Sequence, residues 1–377
     1  MAVLIHALGA SMGGAVRHLT NFLPELGKQD SNRDYIVLVR ESIPELDLPE
    51  NITLERIPDN KASGWIARVI YDGIALPKKL KQENFSAIIS IANFGPIWSP
   101  VPHIFFQRNP LYYCSYYLSR IRVREKIETL LRRRLAVESM KRAELIVTPS
   151  NAMAEMIKET CPEVKNRRFY TLYHGFSKES LSEPLADKYT HMLSVEGIRL
   201  LYPTHPAPHK GFEVLFDILA CLKQSKLRFK LFTTISLDDW PQGVQKYERR
   251  VRELGLNNDV IFMGRIPQRQ MGELYKKCDL MVYPSLCESF GFSMIEAMAH
   301  GLPIVAARTA VNQEICKEGA YYYSPLDYVE GAEVIRKIVN LNLSKKIADQ
   351  GIKRATLFDW GWQRYTFEFI KMLGEFL

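Results

Sequence analysis

The sequence lacks several features that would assign it to a specialised class. It has no uninterrupted apolar run of roughly 20 residues, which a membrane-spanning helix needs. Its most apolar region, residues 86–106, is broken by Asn93, Gly95 and three prolines. It also has no low-complexity tract and no fixed-period repeat, so fibrous and solenoid classes are excluded. We therefore expect globular domains and no membrane-spanning helix.

Cysteine is sparse, and none of the six cysteines belongs to a CxxC pair. A secretory signal is not expected, because the apolar run 2–8 ends at Gly9 and no basic segment precedes it. Scattered cysteines in a long chain of this kind indicate reduced thiols rather than a disulfide framework. A cytoplasmic location is the resulting prediction. The cysteines are Cys114, Cys161, Cys221, Cys278, Cys287 and Cys316.

A dinucleotide-binding fingerprint is missing as well. The segment LGASMGGAVRHL, residues 8–19, runs from a predicted strand through Gly13 and Gly14 into a predicted helix, but it is not GxGxxG. The next predicted strand ends in Arg40, where such a fold carries an acidic residue for the ribose. A nicotinamide-dependent dehydrogenase is therefore disfavoured. The two glycines would still let the backbone approach a phosphate or a sugar closely.

The composition is that of an ordinary globular protein, but its charge is unevenly spread. The 377 residues suggest two domains, and the net charge is +8. Residues 116–142 alone contain nine Lys or Arg against three Glu, with Ile121, Ile127 and Leu131 among the apolar residues between them. This spacing predicts a basic amphipathic helix.

Two interpretations of this basic helix stay open. It is either a solvated helix docked on its own core, or an attachment to an anionic membrane leaflet or to a phosphate-bearing acceptor. Nucleic acid is the weaker partner, because no helix-turn-helix, zinc or RNA-binding signature accompanies the charge.

Short β-branched runs alternate with longer amphipathic ones, which predicts parallel sheets with crossover helices. The alternation lapses into a polar stretch over residues 175–197, so we expect a domain connection there. Open parallel sheets bind ligands beyond the carboxyl ends of their strands. The predicted strands are 2–8, 35–39, 52–57, 86–91, 102–107, 144–148, 168–173, 199–203, 228–234, 259–263, 279–283 and 303–307. The predicted helices are 14–27, 65–82, 116–142, 150–159, 211–224, 241–254, 268–277 and 291–300.

The most informative segment is YPSLCESFGFSMIEAMAHGLPIVAA, residues 283–307, which predicts a strand, a loop, a helix and another strand. Glu288 lies in the loop, and Glu296 lies eight residues later in the helix. Eight helical residues rise about 12 Å, so these carboxylates could hold hydroxyls at opposite ends of a sugar nucleotide. The amides near Gly291 would open the helix N-terminus, which favours a phosphate.

This segment resembles the Glu-x7-Glu signature of glycosyltransferase family 4, whose members are retaining enzymes of the GT-B fold. The likeness covers most of the chain in outline and is strongest over residues 199–325. It implies that Glu288 faces the sugar hydroxyls close to the reaction and that Glu296 holds the ribose. The residues implied to bind the diphosphate between them are Ser289, Phe290, Gly291, Phe292 and Ser293.

A second family motif lies in YPTHPAPHKGFEVL, residues 202–215. The family has an Arg about five residues before a Lys-Gly pair, and both cations neutralise the leaving diphosphate. Lys210 and Gly211 match, whereas His205 stands where the Arg is expected. A histidine donates a hydrogen bond but carries charge only if its pKa is raised. The resemblance therefore implies a catalytic role for Lys210 and a donor-binding role for His205.

Weaker correspondences complete the implied site. The Gly13-Gly14 pair would open the first helix beside the donor. Arg265 ends a strand where relatives hold the nucleotide base, and His174 replaces the Asn of a turn at the domain junction. Many relatives have a histidine after the strand that matches HIFFQRN; Arg108 and Asn109 lie there instead as acceptor-side residues, so a catalytic histidine is not implied.

The predicted fold is α/β, of the GT-B type, with two Rossmann-like domains facing across a cleft. Residues 1–175 would bind the acceptor, residues 176–358 would bind the donor, and a helix at 359–377 would cross back onto the first domain. No DxD triplet is present, since Asp238 and Asp239 are adjacent, so no metal cofactor is predicted.

The implied reaction is transfer of a hexosyl group, glucose from UDP-glucose as a family-level expectation, to a glycan or lipid-linked glycan in polysaccharide biosynthesis. The protein would then be cytoplasmic and peripheral at the inner face of the membrane. The alternatives are a GT-B nucleotide-sugar epimerase and a non-catalytic sugar-nucleotide-binding protein.

Overall fold

A computed structural model describes residues 2–10, 14–59, 64–236, 238 and 240–376. The chain divides into two compact units. The first unit comprises Met1–Cys114, Arg122–Gly175 and Gly361–Leu377, and the second comprises Ser115–Ile121 and Phe176–Trp360. Each unit is built around one parallel sheet with helical crossovers.

The sheet of the first unit has seven strands in the order β3-β2-β1-β4-β5-β6-β7, and all neighbours pair in parallel. Its central strands read VLIH, AIIS, HIFF and LIVT and are buried at every position, as expected for strands covered on both faces. The strand order reverses direction between β1 and β4, which is the point where such sheets bind ligands. The strands are β1 (Val3–His6), β2 (Tyr35–Arg40), β3 (Ile52–Ile57), β4 (Ala87–Ser90), β5 (His103–Phe106), β6 (Leu145–Thr148) and β7 (Phe169–Thr171).

The sheet of the second unit has six parallel strands in the order β10-β9-β8-β11-β12-β13. Its order reverses between β8 and β11, so the loops that follow these two strands lie side by side. The strands are β8 (Ile198–Tyr202), β9 (Phe229–Thr233), β10 (Val260–Phe262), β11 (Leu280–Tyr283), β12 (Ile304–Ala307) and β13 (Tyr321–Tyr323).

Helices connect the strands and cover both sheets. A π-helical turn, Tyr71–Ala75, lies between the helices Trp65–Ile70 and Leu76–Gln82. No helix among the described residues combines the length and the apolar character that crossing a bilayer requires. The α-helices are α1 (Gly14–Gln29), α2 (Trp65–Ile70), α3 (Leu76–Gln82), α4 (Ser115–Leu118), α5 (Val123–Met140), α6 (Asn151–Thr160), α7 (Asp187–Met192), α8 (Phe212–Gln224), α9 (Pro241–Glu253), α10 (Met271–Lys277), α11 (Phe292–Ala299), α12 (Ala310–Cys316), α13 (Tyr328–Asn340), α14 (Ser344–Ala355) and α15 (Gly361–Gly374).

Local chemistry explains several of these boundaries. Helix α6 begins after Ser150, whose hydroxyl accepts a hydrogen bond from the Met153 amide at 3.1 Å, as an N-cap does. Helix α15 packs on α1 within the first unit, where the rings of Phe22 and Phe369 lie 4.8 Å apart. All six cysteines are free thiols.

The single helix predicted over residues 116–142 was wrong, because the segment forms two helices that belong to different units. Helix α4 ends where the Ser119 hydroxyl donates to the Tyr116 carbonyl, and Arg120 stacks 3.6 Å over the Tyr116 ring. Arg122 then adopts an extended conformation before α5 begins. Only part of α5 is amphipathic in the predicted sense, since Ile127 and Leu131 are exposed while Ala136 and Met140 are buried.

The other predicted strands and helices are present, with boundaries shifted by a few residues. The helix predicted over 65–82 is continuous but contains the π-helical turn. Helix α7 was not predicted, because residues 175–197 were expected to form a polar connection, and neither were β13 and the helices from α12 to α14.

Candidate functional site

The candidate site of the second unit lies where the loops after β8 and β11 meet. Two contacts hold these loops together. The Leu286 amide donates to the His209 carbonyl at 3.0 Å. Gly211 has φ of 68°, and a Cβ there would lie 2.4 Å from the Pro284 carbonyl oxygen. Only glycine allows this approach, which brings Lys210 to the β11 loop.

Glu288 is anchored through one carboxylate oxygen. Its Oε1 accepts hydrogen bonds from Lys210 Nζ at 2.6 Å, Tyr283 OH at 2.8 Å and Ser285 Oγ at 2.6 Å. The Lys210 and Glu288 side chains are only 9% and 13% exposed. In the described part of the chain, Oε2 forms no hydrogen bond, so this oxygen can accept from a ligand hydroxyl.

Electrostatics keep this carboxylate ionised. Burial by itself raises the pKa of Glu288, but the charge of Lys210 and the hydrogen bonds from Lys210 and Ser285 outweigh it and lower the pKa to about 2. Glu288 therefore accepts hydrogen bonds at neutral pH and has no proton to donate. The Tyr202 hydroxyl donates to the Lys210 carbonyl at 2.7 Å and fixes the backbone from which the lysine extends.

The N-terminus of α11 follows Glu288 by four residues. Gly291 precedes the helix in a left-handed conformation with φ of 90°, and no side chain caps this end. The first amides and the positive end of the helix dipole therefore point toward the loop that carries Glu288. Phe290 is buried and contacts Phe358, whereas Phe292 is 42% exposed. This arrangement suits an anion.

Glu296 lies in α11 in a different environment. Its Oε1 accepts from Gln268 Nε2 at 2.7 Å, and its Oε2 accepts from the Tyr275 hydroxyl at 2.9 Å. Gln268 and Tyr275 are neutral donors to this carboxylate, and a ribose hydroxyl could donate to it in the same way. Glu296 thus has the chemistry of a hydroxyl binder.

Two other predicted residues of the second unit are more exposed. His205 lies in the β8 loop with its ring 6.3 Å from that of His209, and its side chain is exposed. The Arg265 side chain is exposed too, while its carbonyl accepts from the Tyr189 hydroxyl at 2.9 Å. Their donor-binding roles stay predictions, as do those of Ser289 and Ser293.

The remaining predicted residues belong to the first unit. Gly13 lies outside the described residues, and Gly14 is the first residue of α1. Arg108 donates from Nη2 to the Tyr365 hydroxyl at 2.9 Å and lies 3.2 Å from His18 Nε2. These contacts tie the end of β5 to α1 and α15.

His174 belongs to the same aromatic group, because its ring stacks 6.0 Å from that of Tyr365. Burial and then the charge of Arg108 hold the pKa of His174 well below its ordinary value, so its ring is neutral. The Asn109 side chain accepts from the Leu111 amide at 3.0 Å and caps a short turn. The predicted donor and acceptor roles of these residues remain predictions.

Sequence reasoning missed the residues that hold the two glutamates. Tyr283 and Ser285 flank the proline after β11, and nothing in their types distinguishes them from packing residues. His209 is buried beside Lys210, and burial, followed by the charge of Lys210, lowers its pKa to about 3. Its position next to the Lys-Gly pair was the one available signal. Gln268 and Tyr275 lie on another segment, so only the fold brings them to Glu296.

Among the residues that the structure describes, no group of three His, Cys, Asp or Glu side chains is arranged to hold a metal ion. The positive groups described at this site include the Lys210 ammonium and the partial positive charge of the α11 N-terminus.

Comparison with known families assigns both units. Residues 193–354 match the family model "Glycosyl transferases group 1", and residues 12–180 match "Glycosyltransferase Family 4". The solved structures that resemble the whole chain include sucrose-phosphate synthase from Thermosynechococcus elongatus, with a TM-score of 0.72, 16% identity and coverage of 100% of this chain and 98% of that chain. Anabaena HepE in complex with UDP-glucose gives a TM-score of 0.70 at 19% identity, covering 100% of both chains.

Curated sequence relatives match over shorter lengths. The O-antigen chain mannosyltransferase RfbU of Salmonella typhimurium is 25% identical over 54% of this chain and 53% of its own length. D-inositol 3-phosphate glycosyltransferase 2 of Catenulispora acidiphila is 32% identical over 43% of this chain and 40% of its own length. The chain thus spans about half the length, or less, of these relatives.

The two parallel-sheet units and their structural neighbours define the GT-B class of fold. The two family models together span nearly all of both units, and Glu288 and Lys210 both lie within the range of the first model. The chain belongs to the group 1, family 4 glycosyltransferases.

Proposed function

We propose that this chain is a retaining, metal-independent hexosyltransferase that uses a nucleoside diphosphate sugar. UDP-glucose is the preferred donor, and the acceptor is a hydroxyl of a glycan or lipid-linked glycan in polysaccharide biosynthesis. The observation that carries the proposal is the anchoring of Glu288 through Oε1 alone, with Lys210 and the α11 N-terminus beside it. The names of the neighbours support the donor class, since HepE was solved with UDP-glucose and RfbU is an O-antigen chain mannosyltransferase.

The roles follow from charge and geometry. The open oxygen of Glu288 would accept from a hydroxyl of the transferred sugar, and Glu296 would accept from the ribose. Lys210 and the helix N-terminus would stabilise the negative charge that grows on the diphosphate as the bond to the sugar breaks. Lys210 and Glu288 neutralise each other before the donor binds. The diphosphate of the donor then supplies the negative charge that the α11 N-terminus attracts.

In the proposed reaction the acceptor oxygen bonds to the anomeric carbon while the bond from that carbon to the phosphate oxygen breaks. The acceptor proton passes to the departing phosphate oxygen on the same face, so the configuration is retained. Most of the catalysis would then be positioning and electrostatic stabilisation. A double displacement through Glu288 is disfavoured, because three donors and a pKa of about 2 make its carboxylate a weak nucleophile.

The test is a panel of nucleotide sugars that includes UDP-glucose, UDP-galactose and GDP-mannose, each incubated with and without candidate acceptors. We expect thermal stabilisation and slow release of UDP with UDP-glucose, and a product whose anomeric configuration matches the donor by NMR. Addition of a metal chelator should leave the rate unchanged. Release of an altered sugar from the donor alone would indicate an epimerase, and binding without any turnover would indicate a sugar-nucleotide-binding protein. Either result would contradict the proposal.

A further inference from the structure

The first unit contains a cavity of about 300 Å³ that the donor site does not use. It is lined by the loop after β1, the loop after β4, the end of β2, the α2 region and α5. It therefore lies at the point where the strand order of the first sheet reverses, the usual ligand position of such a sheet. Gly9 permits this arrangement, because a Cβ there would lie 2.7 Å from the Ala92 carbonyl oxygen of the β4 loop.

Three guanidinium groups line the cavity: those of Arg40, Arg68 and Arg132. Asp72 is the one acidic side chain in the described lining, and Arg68 Nη2 donates to its Oδ2 at 2.9 Å. Arg132 is ion-paired with Glu128 on its own helix. The three arginines together with Asp72 and Glu128 carry a formal charge of plus one. The cavity is therefore built for an anion.

Two of the arginines have N–H donors for which the described residues provide no acceptor. Arg68 is only 7% exposed, yet its Nε is buried with no hydrogen-bond partner among the described residues. Arg40 donates through Nε to the Leu8 carbonyl at 2.9 Å, and the described part of the chain offers its terminal nitrogens no partner. A buried donor without an acceptor is uncommon in a folded protein, and a bound anion would satisfy it.

The segments that line the cavity also carry exposed apolar side chains. Eight large apolar side chains of the first unit are described as exposed, and seven of them belong to the segments that line this cavity, with Phe367 as the exception. The large exposed apolar side chains of this unit are thus concentrated in the segments that line the cavity. The seven are Ile66, Ile70, Ile74, Trp98, Val123, Ile127 and Leu131.

The segments that line the cavity thus direct arginines into it and expose apolar side chains to solvent. Helix α2 directs Arg68 and Val69 to the cavity and exposes Ile66 and Ile70. Helix α5 directs Arg132 and Leu135 to the cavity and exposes Ile127 and other residues of its first turns. An amphiphile with an anionic headgroup has the matching pair of surfaces.

We propose that this cavity binds the phosphate of a lipid-borne acceptor at a membrane surface. Arg40, Arg68 and Arg132 contact the phosphate oxygens, and the exposed apolar side chains around the cavity enter the lipid. The inference rests on the proposed glycosyl transfer for calling this lipid an acceptor. It goes beyond that function by assigning the acceptor class, the residues that bind it and the face of the first unit that meets the membrane.

The test uses the full chain and vesicles of matched net charge, containing either phosphatidic acid or phosphatidylserine in phosphatidylcholine. General attraction to an anionic surface does not distinguish these vesicles, whereas a phosphate pocket prefers the exposed phosphate of phosphatidic acid. The informative variant is Arg132→Gln, because this side chain is 42% exposed and its loss should not unfold the protein. Arg134→Gln is the matched control, since it removes a 78% exposed arginine from the same helix outside the cavity lining.

We expect the wild-type chain to bind phosphatidic acid vesicles about tenfold more tightly than phosphatidylserine vesicles, the difference that one or two charge-assisted hydrogen bonds provide. Arg132→Gln should abolish this preference, and Arg134→Gln should retain it. Equal binding of both vesicles by the wild type, or equal loss in both variants, would overturn the cavity as the binding site.

A second comparison identifies the source of the phosphate. Ile70→Gln should weaken binding to phosphatidic acid vesicles, while Phe367→Gln, the exposed apolar residue outside the cavity-lining segments, should not. Soluble glycerol phosphate should compete poorly. If glycerol phosphate competes fully and Ile70→Gln has no effect, the ligand is a free phosphate and the lipid assignment is overturned.

Vesicle binding needs no nucleotide sugar, so one proposal can be contradicted while the other still holds. A chain that binds phosphatidic acid through Arg132 but turns over no donor would contradict the transferase function alone. A chain that transfers sugar but shows no phosphatidic acid preference would contradict the lipid-phosphate pocket alone.

Discussion

Each unit contains a buried carboxylate that is paired with a cation and lies near a histidine, yet the two carboxylates are used differently. In the first unit, a partner group faces each oxygen of Asp72: Arg68 Nη2 donates to Oδ2 at 2.9 Å, and His6 Nε2 lies 2.9 Å from Oδ1 without forming a hydrogen bond to it. In the second unit, three donors converge on one oxygen of Glu288 and leave the other open. A carboxylate with a partner group facing each oxygen serves its own neighbours, whereas one with an oxygen that faces no partner can accept a hydrogen bond from a ligand.

The pKa values show that both groups stay ionised for comparable reasons. Burial would raise the pKa of Asp72, but the charges of His6 and Arg68 and the hydrogen bond from Arg68 outweigh it and lower the pKa. The same balance, with Lys210 as the main partner, lowers the pKa of Glu288 to about 2. Charge state therefore does not distinguish the two sites, and the open oxygen does. Asp72 positions Arg68 and offsets its charge, while the open oxygen of Glu288 is available to a ligand.

Among the substitutions that test this comparison, Asp72→Asn is expected to lower the stability of the protein most. The substitution leaves Arg68 buried without its ionised partner, which costs about 3–5 kcal/mol of unfolding free energy in such pairs. Glu155→Gln, which removes an exposed ion pair with Lys158, is the control and should cost about 0–1 kcal/mol. Chemical denaturation of both variants measures the difference. Similar losses would mean that Asp72 is not the structural partner described above.

The next effect is a dependence of stability on pH that arises from buried neutral histidines. Burial lowers the pKa of His103 to about 3 in the first unit and, together with the charge of Lys210, that of His209 to about 3 in the second. Below the unfolded pKa of about 6.5, only the unfolded chain takes up these protons, so stability is lost as the pH falls. Each histidine contributes a slope of about 1.4 kcal/mol per pH unit until its folded pKa is reached.

Glu288 adds to this trend at lower pH, because its stabilisation is present above its unfolded pKa and is lost as the pH falls toward about 2. Unfolding free energies measured between pH 7 and pH 5 therefore isolate the histidines. We expect His103→Gln and His209→Gln each to flatten the profile by the slope of one proton. A slope equal to that of the wild type in both variants would contradict neutral burial of these rings.

The sequence predicted the fold well because its signals are local and strong. Alternating apolar runs identified nearly all the strands, and a single motif located Glu288, Glu296 and Lys210. The break between α4 and α5 was missed, because the apolar spacing continues through it and only the contacts of Tyr116 with Ser119 and Arg120 end the first helix.

The residues that position Glu288 and Glu296 could not be predicted from the sequence, because their contacts depend on which strands are neighbours in the sheet. Gln268 and Tyr275 reach Glu296 from a separate segment, and His209 meets the β11 loop only because β8 and β11 adjoin in the sheet. The cavity of the first unit could not be predicted from the sequence for the same reason. Its arginines come from β2, α2 and α5, which are distant in the chain, although the excess of basic residues around Arg132 was already evident.

The most direct test of the account compares Glu288→Gln with Glu296→Gln in one assay of UDP binding by calorimetry and of sugar transfer. If the open oxygen of Glu288 serves the transferred sugar, Glu288→Gln should lower the transfer rate by about 10²–10³-fold, the loss typical of a group that stabilises the transition state, while UDP binding is nearly unchanged. Glu296→Gln should instead weaken UDP binding. Equal loss of UDP binding and transfer in Glu288→Gln, with the fold intact, would contradict the central claim.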